Sequence, residues 1–180
     1  VSILSFYATK LLTTGEGGML LSRNRRLLER MRDRRDYDER RRHQVRYNYK
    51  LTDFQAALGR SQLRRLPAML SRRAAIATRY RRRWANLPVV LPGPNAGRSH
   101  VYHRFVIGVP TTATAVARRL SELGVTARPP IFRPIHATLG MGGFPGAHHA
   151  PRHGLSMPLY PALTSQEESL VVRALERVLA

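Results

Sequence analysis

The sequence predicts an α/β beginning followed by an α+β remainder, and three features carry that prediction. Two short apolar runs, VSILSF at 1–6 and GGMLLS at 17–22, read as strands on either side of a loop. Thr52 with Gln55, and Thr164 with Glu167, form Thr-x-x-Gln/Glu capping boxes, each opening a segment with helical apolar spacing. A Pro/Gly-rich stretch, LPGPNAGRS at 91–99, divides the chain into residues 1–90 and 91–180.

In chain order, 1–6 is expected to be a buried strand, the stretch around Lys10 a loop, and 17–22 a strand entered through glycines. A polar helix follows from about Asn24; within 23–46 eleven arginines alternate with five acids, the pattern of a solvated face. From Thr52 a helix presents Phe54, Ala57, Leu58 and Leu63. After Pro67 a second helix, with Met69, Leu70, Ala74, Ile76, Ala77, Tyr80 and Trp84 apolar, runs to about Asn86. Beyond the boundary come a strand in HVYHRFVIGV, a helix at 112–124, short strands near 125–128 and 133–138, and a Gly/His-rich loop at 140–154. The last helix turns Leu170, Val171, Ala174, Leu175 and Val178 inward.

Length and composition bound the function. A chain of 180 residues with 43% hydrophobic and 23% charged residues can bury a core. No apolar run reaches the roughly 18 residues of a membrane span, and the first residues lack a secretory pattern, so a cytoplasmic protein with no membrane partner is expected. With no cysteine, disulfides, thiolate metal sites and Cys nucleophiles are excluded. His148, His149 and His153 have no Cys or carboxylate beside them, so no metal site is assigned. The net charge is +20, and between Asp53 and Glu122 thirteen arginines occur without one acid. Such a field attracts polyanions. It is equally the outcome of an Arg-favouring composition on ordinary solvated helices.

Against 29 arginines the chain keeps only two lysines, Lys10 and Lys50. An ammonium can lose its proton and attack a carbonyl, whereas a guanidinium stays protonated. A position that must form a Schiff base can therefore be Lys and cannot be Arg. Read on its own stretch, Lys10 is also what an exposed loop amine looks like.

The segments SFYATKLLTTGEGGML and YNYKLTDFQAALGRSQLRRL, in this order and about 40 residues apart, together resemble the DegT/DnrJ/StrS family of pyridoxal-phosphate sugar aminotransferases. HVYHRFVI, PIH at 134–136 and LSMPLYPALTSQE at 155–167 resemble its C-terminal domain. The resemblance implies the C-terminal half of a fold-type I aminotransferase: a remnant of the cofactor-binding large domain over 1–90 and a small α+β domain over 91–180. Lys10 would hold pyridoxal 5'-phosphate as a Schiff base and then act as the base that moves the proton. Ser5 would contact the cofactor phosphate; without the motif it reads as a strand-end hydroxyl bonded to its own backbone. Asn48 would reach the phosphate of a neighbouring subunit, which implies a homodimer. Gly15, Gly17 and Gly18 would turn the chain beside the lysine, Glu16 would shape that loop, and His136 would lie toward the substrate.

The implied reaction moves an amino group from an amino acid such as glutamate to a nucleotide-linked keto-sugar. Lys50 departs from the family pattern, which has Arg there. The segment that in the family supplies the aromatic stacked on the ring and the Asp on the pyridinium nitrogen has no counterpart in these 180 residues, so they are expected to be inactive without an N-terminal half. The alternative is a non-catalytic basic protein that binds nucleic acid through Arg64, Arg65, Arg72, Arg73, Arg79, Arg81, Arg82 and Arg83, with Trp84.

Overall fold

The computed structural model of the chain describes residues 1–93 and 96–180; Pro94 and Asn95, in the boundary loop at 91–99, lie outside the described residues. The chain forms two compact units, Val1–Ala68 and Met69–Ala180.

In the first unit the two apolar runs pair as an antiparallel ribbon, β1 (Ser2–Ser5) against β2 (Gly18–Leu21), with Ile3 opposite Leu20. The expectation of a buried strand at 1–6 is corrected: every residue of both strands is exposed, Ile3 to 77%. A two-stranded ribbon has a free face on each side, and nothing in this unit covers either. Helix α1 (Arg25–Arg35) is capped by Asn24, whose side chain accepts the Leu27 amide at 3.1 Å, and it buries nothing, as its mixed charges imply.

Helix α2 (Asp53–Arg83) opens on the capping box read from the sequence: the Gln55 amide donates to Thr52 Oγ1 at 3.2 Å, and the Thr52 amide to Gln55 Oε1 at 3.1 Å. The expected break at Pro67 is corrected, for α2 runs through that residue as one helix. Proline removes one donor to the carbonyl four residues earlier, and a 31-residue helix with a buried face beyond that point tolerates the loss. Phe54, Leu58 and Leu63, although at helical spacing, are exposed in this unit.

The second unit takes the later turns of α2, and with them a face whose Ile76, Ala77 and Tyr80, followed by Trp84, are fully buried. For this reason the compact units divide at Ala68 and Met69 rather than at the 90/91 boundary drawn from the Pro/Gly loop. Strand β3 (Phe105–Gly108) pairs antiparallel with β4 (Gly154–Met157), Phe105 opposite Met157, and isolated bridges add Val90 opposite Gly108 and Arg128 opposite Ser156. Helix α3 (Ala113–Glu122) buries Ala113, Val116 and Leu120. Helix α6 (Ser165–Leu179) closes the core with Val171, Val172, Ala174, Leu175 and Val178, while Leu170 points out instead of in. Its capping box is complete: the Glu167 amide donates to Thr164 Oγ1 at 3.2 Å, and the Glu167 carboxylate, held below the usual range, accepts the Thr164 amide.

Three local expectations in this unit are corrected. Residues 133–138 form not a strand but the short helix α4 (Ile135–Thr138), closed by the Leu139 amide on the Ile135 carbonyl at 2.9 Å. The stretch 125–128 contributes a single bridge at Arg128. The Gly/His-rich segment is helix α5 (Pro145–His153), since Pro145 takes the first helical position, where its missing N–H costs nothing. Strand β4, which follows at once, carries the LSM of the motif at 155–157.

Aromatic packing and one buried cation hold this core. Tyr80 stacks on Trp84 with centroids 4.5 Å apart, and Phe105 meets both edge-on. The Tyr80 hydroxyl donates to the Pro158 carbonyl at 3.0 Å, and burial pushes its phenol well above the usual range. Arg73, 5% exposed, donates from Nε to the Tyr102 carbonyl at 3.1 Å, from Nη1 to Leu159 at 2.8 Å and from Nη2 to His103 at 2.7 Å. Replacing it by leucine strands those carbonyls, so Arg73→Leu should cost about 3 kcal/mol in urea unfolding. An exposed Arg→Leu control, Arg118→Leu, should cost less than about 0.5 kcal/mol.

Candidate functional site

The loop that joins β1 to β2 is built around one carbonyl. Phe6 O accepts the Thr14 amide at 2.9 Å and the Thr13 hydroxyl at 3.1 Å, while the Phe6 amide donates to Gly17 O at 2.9 Å. These bonds close the loop at its base and leave 7–12 as its outer stretch. Lys10 lies there, in a turn whose amide donates to the Tyr7 carbonyl at 2.9 Å; its side chain is half-buried, and its Nζ forms no hydrogen bond or ion pair with the described residues.

Glycine is required at the return. Gly17 has φ +133°, and a Cβ there would come within 2.8 Å of Leu51 Cδ1. At Gly18 a Cβ would meet the Leu4 carbonyl oxygen at 2.8 Å, inside the strand pairing. Thr14 is buried; its hydroxyl donates to the Glu16 carbonyl, which also accepts from Gln55 Nε2 at 3.3 Å. Glu16 therefore shapes the loop through its backbone, with its carboxylate exposed. Thr13, Thr14 and Gln55 were not singled out from the sequence as site residues, although two threonines before a Gly-x-Gly-Gly turn are the residue types that bond locally to backbone.

Ser5 closes β1, and its Oγ accepts the Tyr7 amide at 3.4 Å, the self-bonded geometry that its position also suggested. Asn48 lies between two tyrosines whose rings stack 4.8 Å apart and 5° from parallel. The amides of Tyr47 and Tyr49 donate at 2.9 Å to the carbonyls of Arg34 and Arg35, so the segment serves the open C-terminal end of α1. Side chains alternate along extended chain, so Asn48 stands opposite the paired tyrosines, exposed.

Ion pairs pin both ends of that segment. Arg46 grips Asp33 at 3.0 Å, and Lys50 Nζ lies 2.9 Å from Asp38 and 3.2 Å from Asp36. The Asp38 amide, followed by Lys50, holds the Asp36 carboxyl below the usual range; Asp38 and Asp36 hold the Lys50 amine above it. The two lysines are thus chemically unlike: one is clamped between carboxylates, the other carries no partner among the described residues.

His136 belongs to the second unit. It is buried, packs edge-on against His148 at 4.4 Å and beside Phe144 at 5.5 Å, and its Nε2 has no partner among the described residues. Ser5, Lys10 and Glu16 share one loop and its flanking strand, Asn48 another segment of the same unit, and His136 is not brought to them within a unit.

Four of the eight arginines offered for nucleic acid are committed to the fold. Arg73 is buried on carbonyls, Arg72 donates to the Leu163 carbonyl at 2.7 Å, Arg79 is paired with Glu168, and Arg83 lies 3.0 Å from Glu176. Trp84 is 0% exposed and cannot stack on a base. The described residues include no helix long and apolar enough to cross a membrane.

The DegT/DnrJ/EryC1/StrS aminotransferase family profile matches residues 1–176. GDP-perosamine synthase of Caulobacter vibrioides is 32% identical over 97% of the chain and 51% of its own length. The dTDP-4-dehydro-2,3,6-trideoxy-D-glucose 4-aminotransferase of Saccharopolyspora spinosa is 31% identical over 91% of the chain and 48% of its own length. The crystal structure of the aminotransferase TlmJ from Streptoalloteichus hindustanus is similar with a TM-score of 0.86 at 32% identity, covering 98% of this chain and 51% of that one. The chain spans about half the length of the relatives it matches.

The clamp on the Asn48 segment sets a pH window. Asp36 is lowered, so its contribution is present above its unfolded value and lost as pH falls through the folded one. Lys50 is raised, so its contribution is lost only as pH climbs through its folded value. Amide exchange at Tyr47 and Tyr49 should quicken, relative to its intrinsic rate, as pH falls below about 4, and Lys50→Ala should remove only part of that acid limb, because the Asp38 amide is the larger cause of the lowered Asp36 carboxyl.

Proposed function

The chain belongs to the DegT/DnrJ/EryC1/StrS aminotransferase family, and from that premise we propose that it is the lysine-bearing C-terminal half of a pyridoxal-phosphate-dependent sugar aminotransferase. The reaction moves an amino group from an amino acid such as glutamate to a nucleotide-linked keto-sugar. The observation that carries this reading is the contrast between the two lysines: Lys10 Nζ forms no ion pair among the described residues, whereas Lys50 Nζ is held between two carboxylates. A nucleophilic amine must be able to shed its proton, and a carboxylate clamp opposes that.

The donor set fits the cofactor on the side this chain supplies. A half-buried primary amine stands on a loop fixed at its base, a serine hydroxyl ends the preceding strand, and two glycines let the chain return against Leu51 and Leu4, where a Cβ would collide. Pyridoxal phosphate, when bound, supplies the electron sink that makes amino transfer accessible. Lys10 Nζ would anchor it and carry the proton, Ser5 Oγ would contact the phosphate, and Asn48 would reach the phosphate of the second subunit of a homodimer. The assignment of His136 to the substrate side rests on the resemblance of PIH at 134–136 to the family's C-terminal domain. In this reading 1–90 is the remnant of the large domain and 91–180 the small domain, and the other half of the large domain covers the apolar faces of β1 and β2.

Borohydride reduction after incubation with pyridoxal phosphate should label Lys10 alone, and Lys10→Arg should abolish the label. Equal label on Lys10 and Lys50 would overturn the assignment. The 180 residues by themselves should show no amino transfer from glutamate, since each lost electrostatic contact to the ring costs about 2 to 4 kcal/mol in the barrier. Turnover of a keto-sugar nucleotide at ordinary enzyme rates would show the site to be misplaced.

A further inference from the structure

A cleft of about 340 Å³ opens in the second unit between α2 and α6, lined by Arg79, Arg82 and Arg83 from one helix and Glu168, Val172 and Arg173 from the other. Two of its four guanidiniums are held in place by acids. Glu168, almost fully buried, pairs with Arg79, which donates from Nη2 at 2.7 Å; Glu176 accepts from Arg83 Nε at 3.2 Å and Nη2 at 3.0 Å. Arg82 and Arg173 are exposed, and neither forms a hydrogen bond or ion pair with the described residues. Four arginines set against two acids leave the cleft and its rim with a net charge of about two positive units, the unpaired guanidiniums being one on each helix.

We propose that this cleft binds a small di- or polyphosphate, gripped between Arg82 of α2 and Arg173 of α6. A guanidinium presents parallel N–H donors that match two oxygens of one phosphate, so two guanidiniums without partners among the described residues, one on each helix lining the cleft, suit two linked phosphates. Glu168 and Glu176 make the grip more specific by fixing Arg79 and Arg83 as a rigid rim. They also argue against a nucleic acid. A duplex is held by a continuous strip of phosphate contacts, which carboxylates interrupt, and no aromatic is exposed in the cleft to stack on a base. The volume lies at the small end of ligand sites, enough for a phosphate chain and little more.

Inorganic pyrophosphate titrated calorimetrically into the 180-residue chain tests this. Binding in low salt should be sub-millimolar, and the exposed double variant Arg82→Ala/Arg173→Ala should weaken it about tenfold or more while leaving the circular dichroism unchanged. Removing the same charge from α3, by Arg118→Ala/Arg119→Ala, should change affinity less than about twofold. No binding by the unaltered chain, or equal losses in the two double variants, would overturn the site. A random DNA duplex that displaces pyrophosphate and stays bound at about 0.2 M salt would overturn the choice of ligand.

Discussion

The second unit depends on one face of α2, where a cation and a run of apolar side chains are buried side by side. Arg73 satisfies carbonyls from Tyr102, His103 and Leu159, and over the next two turns Ile76, Ala77 and Tyr80 are buried in the core. Burying a guanidinium is costly unless its donors are used, and here they are used on backbone that lies outside any regular ladder. The same bonds therefore supply partners to carbonyls that would otherwise be orphaned and set the segments before β3 and after β4 against the helix. The aromatic group of Tyr80, Trp84 and Phe105 then fills the space that this anchoring defines.

In the first unit a smaller constraint has the corresponding role. The Phe6 carbonyl and amide close the lysine loop at its base, and the glycines at 17 and 18 allow the chain to return against Leu4 and Leu51 where a side chain would collide. Lys10 is thus displayed on fixed backbone, its own side chain uncommitted among the described residues. Asn48 is displayed in a comparable way: stacked tyrosines, amides on the end of α1 and ion pairs on both flanks hold the segment, and the asparagine itself is left outward. In both places the support is local and the candidate functional group is the one it does not use.

A basic composition thereby acquires structure. Arginines that read as one uniform block divide into buried crosslinks such as Arg73, partly exposed pairs with Glu168 and Glu176, and exposed cations such as Arg82 and Arg173. Only the last group presents an uncompensated field to solvent. The two acids that sort them lie on α6, more than 80 residues away along the chain.

Local chemistry was legible in the sequence. The capping boxes at Thr52 and Thr164, the strand pair around a glycine turn and the helix within 112–124 all rest on bonds that reach only a few residues. What depends on distant partners was not legible. The helix through Pro67, the helix at α5, the outward turn of Leu170 and the exposure of β1 are decided by which surfaces meet which, and periodicity names an apolar face without naming what covers it. Arg73 and Arg82 look alike in sequence. Tertiary structure made one a buried crosslink and left the other in water, because only the fold determines whether carbonyls stand within reach of a guanidinium.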